Sequence, residues 1–169
     1  VHGGVDKAVY AYPVEHYAHW RTALRRDDLS PGHFGENLTT EGLLEEDVLV
    51  GDVLRVGSVL LEVSQPRVPC FKLAARMGDP AFAKPFLRSG RVGFYMRVLE
   101  QGRLGAGDAV TRERRGEGGL SIRAAAALLS DSSDAGALAR AAAVPALTAG
   151  WRESFAARAE RLRSRPPAG

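Results

Sequence analysis

The sequence predicts a mostly β domain with helices that runs to about residue 113, followed by a small three-helix unit. Three observations carry this reading. Short apolar runs with period-two alternation, punctuated by Gly-Asp and Gly-Ser pairs, fill residues 48–111. The composition changes at Gly116-Glu117-Gly118-Gly119, which reads as a flexible linker. Beyond it, stretches rich in alanine and arginine repeat with helical spacing. At 169 residues the chain is long enough to bury a sizeable core.

Taken in order, a Gly3-Gly4 turn leads into a short strand, Ala8-Val9-Tyr10-Ala11. Tyr12-Pro13 opens a helix over about 13–25. Proline suits a first helical turn and Glu15 suits its positive end, while Tyr17, Trp20 and Leu24 recur at helical spacing. Residues 26–36 form a polar loop around Ser30-Pro31-Gly32, and Glu36-Asn37 stand at a loop-to-strand junction. Val48-Leu49-Val50 is an apolar strand. Residues 53–56 and 59–63 make a hairpin about Gly57-Ser58, with Val59, Leu61 and Val63 on one face. Two prolines stiffen 64–69 into a loop. Helices follow at 71–77 and near 81–88, then a strand over 93–99 with Phe94, Met96 and Val98 on one face. Residues 104–108 turn the chain and Ala109-Val110-Thr111 begins the last strand. Three helices complete the pattern. The first spans 122–130 and is capped by Ser121. The second spans 134–143, is opened by Asp134 and stops before Pro145. The third spans 151–163 and is anchored by Trp151, Phe155 and Leu162. Pro166-Pro167-Ala168-Gly169 reads as a loose end.

Charge is unevenly placed. The net +3 divides into 13 basic against 14 acidic residues over 1–111 and 10 arginines against 6 acidic residues over 112–169. The basic character therefore belongs to the tail. No aromatic-interleaved patch accompanies its arginines, so a solvated helix face is expected rather than a nucleic-acid surface. That face is also one on which an acidic electron-transfer partner, or a second copy in a homodimer, can dock. A single cysteine excludes an intramolecular disulfide framework and any multi-cysteine metal site within one chain. No apolar run of membrane-spanning length occurs, so no membrane association is expected. No charged-then-apolar leader opens the sequence, and a reducing cytoplasmic setting is expected. The opening Val1-His2-Gly3-Gly4, with no Met, reads as the middle of a domain, so upstream residues are expected.

The chemistry-bearing candidates are few. Cys70 stands where a proline-stiffened loop becomes a helix, beside Arg67 and Lys72. A helix start and two cations each favour the thiolate, so a lowered pKa is expected. A thiolate is a nucleophile or a soft-metal ligand, and the local chemistry leaves a buried, inert cysteine equally open. In His2-Gly3-Gly4-Val5-Asp6-Lys7, the glycines permit positive φ or close approach to a ligand, and Lys7 is a point charge for phosphate or carboxylate. A tight turn with a solvated lysine is the plainer reading. In Phe34-Gly35-Glu36-Asn37-Leu38, Glu36 and Asn37 can line a pocket, or Asn37 can simply turn the backbone. His16 and His19 sit three apart on the first helix, but no third metal ligand accompanies them, and both are expected on its surface. No nucleophile elbow, P-loop or dinucleotide fingerprint is present.

Taken together, these segments follow the order found in the MOSC domain family: His2-Gly3-Gly4-Val5-Asp6-Lys7-Ala8-Val9-Tyr10, Tyr12-Pro13 with Glu15-His16-Tyr17 and Trp20, Phe34-Gly35-Glu36-Asn37-Leu38, Val50-Gly51-Asp52, and Ser64-Gln65-Pro66-Arg67 with Pro69-Cys70 and Lys72. The tail, with Leu128-Leu129, Ala143-Val144-Pro145-Ala146-Leu147, Trp151-Arg152 and Phe155, resembles the three-helix domain of the YiiM-like branch. The resemblance implies a MOSC-type β-barrel domain over 1–115 and a helical domain over 116–169. It implies binding of the molybdenum cofactor (molybdopterin) and reduction of N-hydroxylated bases and related compounds such as 6-hydroxylaminopurine, which detoxifies them. Cys70 would be the catalytic metal ligand, and His2, Gly3, Lys7, Asn37, Arg67 and Lys72 would hold the cofactor. With no flavin or cluster motif in the chain, electrons would come from an external donor such as a flavoprotein or a ferredoxin or flavodoxin. Family members carry residues before the His-Gly-Gly motif that help form the barrel, and this sequence begins at that motif. Other readings of the same thiol are a sulfur carrier or cofactor-delivery module with a Cys70 persulfide, a non-catalytic cofactor-binding protein, and a cysteine hydrolase needing a nearby histidine base.

Overall fold

The structure, a computed structural model, describes residues 4–130 and 133–164. A short 3-10 turn, Val5–Lys7, precedes strand β1, Val9–Pro13. Helix α1, Glu15–Leu24, and strand β2, Leu38–Thr40, come next. The hairpin β3, Val53–Val56, and β4, Val59–Pro66, is followed by helices α2, Phe71–Met77, and α3, Ala83–Ser89. Strands β5, Phe94–Glu100, and β6, Val110–Arg114, complete a curled six-stranded half-barrel of order β2-β1-β5-β4-β3-β6. Only β2 runs parallel to its neighbour; the other pairs are antiparallel. Helices α4, Ile122–Ser130, α5, Ala135–Ala142, and α6, Ala149–Arg163, form the C-terminal three-helix unit.

The hairpin follows the pattern read from the sequence. Val56 pairs with Val59 across Gly57-Ser58, and Gly57 takes φ +55, which a side chain would resist. Three local expectations differ, each for a tertiary reason. Tyr12 and Pro13 end β1 instead of opening α1: the residue before a proline favours extended backbone, and the Tyr12 ring stacks on Phe34 at 4.4 Å in the core. Strand β4 runs past Val63 to Pro66 because Gln65 and Pro66 pair with Tyr95 and Phe94 across a bulge, where a missing N–H is tolerated. Val48-Leu49-Val50 joins the sheet nowhere. The Val50 N–H donates to Leu120 O (2.9 Å) and the Ile122 N–H to Val48 O (2.9 Å), so this segment pairs with the entry to the helical unit.

That pairing removes the freedom expected of residues 116–119. Gly116 is buried and its N–H donates to Asp52 Oδ1 at 2.7 Å. Asp52 is fully buried, accepts the Leu49 N–H on Oδ2 at 3.0 Å and pairs with Arg112 at 3.0 Å. The crossing between the two units is thus pinned by one carboxylate. The caps expected of the first two C-terminal helices are present: Ser121 Oγ accepts the Ala124 N–H, and Asp134 Oδ1 accepts the Ala137 N–H.

Two apolar clusters lie on either side of the sheet. One joins Leu61, Val63, Phe94 and Met96 to Ile122, Leu138 and Phe155, so sheet and C-terminal helices share a core. The other is aromatic and gathers Tyr12, Tyr17, Trp20, Phe34, Phe82 and Phe86 beneath α1 and α3. His16 belongs inside, against the expectation of an exposed position. It is 5 % exposed, and its Nε2 lies 2.6 Å from Oε2 of the fully buried Glu45, whose Oε1 accepts the Gly93 N–H at 2.7 Å. A buried carboxylate needs such partners, and α1 brings the imidazole to it. His19 is exposed as expected.

Asp52→Ala leaves the Gly116 and Leu49 N–H groups without their acceptor in a buried place. A loss of about 2–4 kcal/mol in unfolding free energy is expected from urea titration, with Asp52→Asn intermediate.

Candidate functional site

Loops and elements distant in sequence converge beside Cys70. A cavity of about 420 Å³ is bordered by Lys7 from the 3-10 turn, Tyr10 from β1, Gly35 and Asn37 from the loop before β2, Arg67 and Cys70 from the segment after β4, Lys72 and Arg76 from α2, and Tyr95 from β5. Four of these side chains are cationic and none is a carboxylate. Such a lining attracts an anionic ligand.

Each wall is held for an identifiable reason. The Lys7 turn is tied down through Asp6: the Ser64 hydroxyl donates to Asp6 O at 2.5 Å, and Arg97 Nε donates to Asp6 Oδ1 at 2.9 Å. Gly4 opens this turn at φ +108, the conformation that the paired glycines permit. Asn37 extends the β1–β2 pairing; its Oδ1 accepts the Tyr10 N–H and its own N–H donates to Tyr10 O, both at 2.8 Å. Asn37 therefore performs the backbone-turning role and borders the cavity as well. Its neighbour Glu36 is not in the lining. One oxygen accepts from Gly32 N–H, Thr39 and the Tyr17 hydroxyl, so this carboxylate orders the loop.

Arg67 is the most constrained member. It is 7 % exposed; its Nη1 donates to Phe34 O at 2.6 Å, and its guanidinium lies 4.6 Å from the Tyr10 ring centre. Burial opposes the charge, but Tyr10, Tyr95 and Cys70 outweigh it and raise the Arg67 pKa. Its Nε is buried with no hydrogen-bond partner in the protein, a donor that a bound anion would satisfy. Burial also pushes the Tyr10 and Tyr95 phenols up, so both remain neutral hydroxyls.

Cys70 is half-buried and opens α2 with extended backbone, φ −126 and ψ 170. Partial burial alone would raise its thiol pKa. The N–H groups of Leu73 and Lys72 and the Arg67 guanidinium reverse that, and the thiol titrates below its ordinary value. Lys72 acts on the sulfur through its backbone N–H. Of the residues named from the sequence, Lys7, Asn37, Arg67, Cys70 and Lys72 are brought together at one cavity. His2 and Gly3 lie outside the described residues, as do Pro166 to Gly169. The lining residues not named from the sequence include Arg76, Tyr10 and Tyr95. Arg76 lies one helical turn beyond Lys72 and was findable from that spacing. Tyr10 and Tyr95 face the cavity through strand register, with ring centres 5.3 Å apart, and no local signal marks them.

This arrangement is that of a MOSC domain. The MOSC domain model matches residues 1–111, and the chain belongs to that family, which is associated with molybdenum-cofactor binding. It falls in the YiiM-like branch: a model described as YiiM-like, 3-alpha helix domain matches residues 123–161. YflK of Bacillus subtilis is 44 % identical over 162 residues, covering 95 % of this chain and 73 % of YflK. A protein named Reductase from Gibberella moniliformis is 43 % identical over 113 residues, 65 % of this chain and 20 % of that larger protein. The crystal structure of YiiM from Geobacillus stearothermophilus superposes with a TM-score of 0.89 at 42 % identity, covering 93 % of this chain and 80 % of that one. Among the described residues no helix is long and apolar enough to cross a membrane.

The electrostatics of Cys70 can be checked directly. Iodoacetamide should alkylate Cys70 with a pH midpoint below that of a free cysteine, and Arg67→Gln should move the midpoint up and slow the reaction several-fold at neutral pH. An unchanged profile would assign the lowered pKa to the α2 amides alone.

Proposed function

We propose that this chain carries the cofactor site of a molybdenum cofactor-dependent reductase of N-hydroxylated bases and related compounds. The observation that carries the reading is one thiol of lowered pKa on the wall of a cavity with four cations and no carboxylate. The donor set suits the group. Lys7, Arg67, Lys72 and Arg76 would neutralise its phosphate and dithiolene, and the unpartnered Arg67 Nε would donate to an acceptor on it. Asn37, with His2 and Gly3 of the adjoining motif, would complete the cradle.

When bound, the cofactor supplies two-electron redox chemistry at molybdenum. Cys70 Sγ, whose pKa is lowered, would be the protein's ligand to the metal, because the pterin brings its own sulfurs. The protein's share is to bind the anion, hold the thiolate against the α2 N–H groups and keep Tyr10 and Tyr95 as neutral hydrogen-bonding groups at the cavity wall. The net reaction converts N–OH to N–H: two electrons and two protons enter and water leaves. The electrons come from an external flavoprotein or a ferredoxin or flavodoxin, and a reducing cytoplasmic compartment suits the exposed edge of a reactive thiol.

Elemental analysis and pterin fluorescence on the purified protein test this. About one molybdenum per chain and reduction of 6-hydroxylaminopurine with a reduced viologen donor are expected, and Cys70→Ser should abolish turnover. Undiminished activity in that variant removes Cys70 as a ligand. A labile mass gain of one sulfur on Cys70 without pterin indicates a sulfur carrier instead. Arg76→Glu should lower molybdenum content while leaving thermal unfolding unchanged, since the side chain is exposed at the cavity rim.

A further inference from the structure

We propose that the three-helix unit completes the substrate site: a small cavity between Cys70 and Trp151 receives the flat heteroaromatic ring of the N-hydroxylated substrate, with Trp151 as its stacking wall and Gln65 as a hydrogen-bond donor to its edge. The inference rests on the reductase reading above and adds the place and shape of the substrate.

Cys70 borders a second cavity of about 190 Å³, lined also by Lys7, Gln65, Pro69, Tyr95 and Trp151. It shares Lys7, Cys70 and Tyr95 with the 420 Å³ cavity. A ligand in the smaller space therefore meets the occupant of the larger one at the thiol. The division of labour follows from the linings. The larger space is cationic and suits the anionic cofactor. The smaller holds one cation, one buried amide and aromatic rings, and its volume lies below the ~300 Å³ at which pockets for drug-sized ligands begin. That combination suits a neutral molecule of one base's size, apolar on its faces and polar at its edge.

Trp151 comes from the first turn of α6, and its placement is enforced. Thr148 stands at the N-cap of α6, yet its hydroxyl is given to Gln65 Oε1 at 2.9 Å instead of to the helix. This ties the start of α6 to β4. One residue pair away, Arg97 donates to Ala146 O at 2.9 Å while also holding Asp6 and Glu62. The indole meets Phe155 edge-to-face with centres 5.4 Å apart, so the ring is ordered before any ligand arrives. Gln65 is 2 % exposed. With Oε1 engaged by Thr148, its Nε2 makes one long contact, 3.4 Å to Pro66 O. An amide nitrogen carries two N–H donors, so one remains to offer to a ring nitrogen.

A larger apolar hollow of about 530 Å³ adjoins Cys70 on its α2–α3 side. It has no buried polar side chain, and its rim residue Phe71 is 72 % exposed. Its one charged side chain, Asp79, is exposed and accepts the Ala81 N–H, so the hollow is an open apolar shelf.

Two readouts test the proposal. Titration of the purified chain with adenine should quench indole fluorescence saturably, and Trp151→Phe should remove the quenching while the buried Trp20 continues to emit. In the loaded enzyme, Trp151→Ala should raise KM for 6-hydroxylaminopurine about tenfold or more, the range of one base–aromatic stack. Molybdenum content, kcat and turnover of ringless N-hydroxyurea should stay unchanged, and Trp151→Phe should restore KM. Equal losses for the ringless substrate, or no quenching in the unaltered chain, would overturn the proposal. The fluorescence result is readable without molybdenum, so saturable quenching in a protein that carries none would refute the reductase reading and keep the ring site.

Discussion

Burying the Arg67 guanidinium costs several kcal/mol unless its donors meet acceptors, and much of the surrounding chain is arranged to meet them. The Phe34 carbonyl takes one N–H, the Tyr10 ring lies under the charge, and the Cys70 thiol gains from it. Phe34 can present that carbonyl because its ring is fixed within the aromatic cluster against Tyr12, Tyr17 and Phe86. The packing beneath α1 is thereby coupled to the chemistry above it. One donor, Nε, is left without a protein partner. That orphaned donor belongs to a residue of the cavity wall, where every charged side chain is a cation.

A second dependence runs through the C-terminal helices. Their apolar faces complete the core on one side of the half-barrel. Asp52, Gln65 and Arg97 then fasten them at the crossing, at the start of α6 and at the segment before it. The same Arg97 holds the turn that carries Lys7. Position of the helices and position of the Lys7 turn at the cavity wall are thus set by one side chain, so the helical unit and that wall share a fastening.

Much of this was legible in the residues. The hairpin about Gly57-Ser58, the span of α2, the caps at Ser121 and Asp134 and the anchors of α6 are local signals, and the structure follows them. So is the environment of Cys70, where a helix start and Arg67 act on the sulfur as their positions suggest. Most of the failures are long-range; at Tyr12-Pro13 a local signal, the extended preference of the residue before proline, pointed the right way. β4 continues through Gln65-Pro66 because β5 pairs with it, Val48-Leu49-Val50 finds its partner at residues 120–122, and His16 turns inward because Glu45 waits there. Gly116 to Gly119 has the composition of a linker, and nothing in that stretch announces that Asp52 will take the Gly116 N–H. Tyr10 and Tyr95 reach the cavity by strand register, which sequence periodicity constrains to a face but not to a neighbour. The order of motifs carried the family, and the family carried what local patterns could not.

Among the described strands, β2 and β6 stand at the two ends of the sheet order. An open edge exposes unpaired backbone donors and acceptors to any other extended chain. β2 has only three residues. β6 is longer and exposed, and over Arg112-Glu113-Arg114 it alternates charge, with Glu113 engaged by Arg55 and Arg114 by Glu62 of the neighbouring strands. Arg112 in turn pairs with the buried Asp52, so the arginines that give the C-terminal part of the sequence its basic character begin as fasteners that tie β6 to the rest of the sheet.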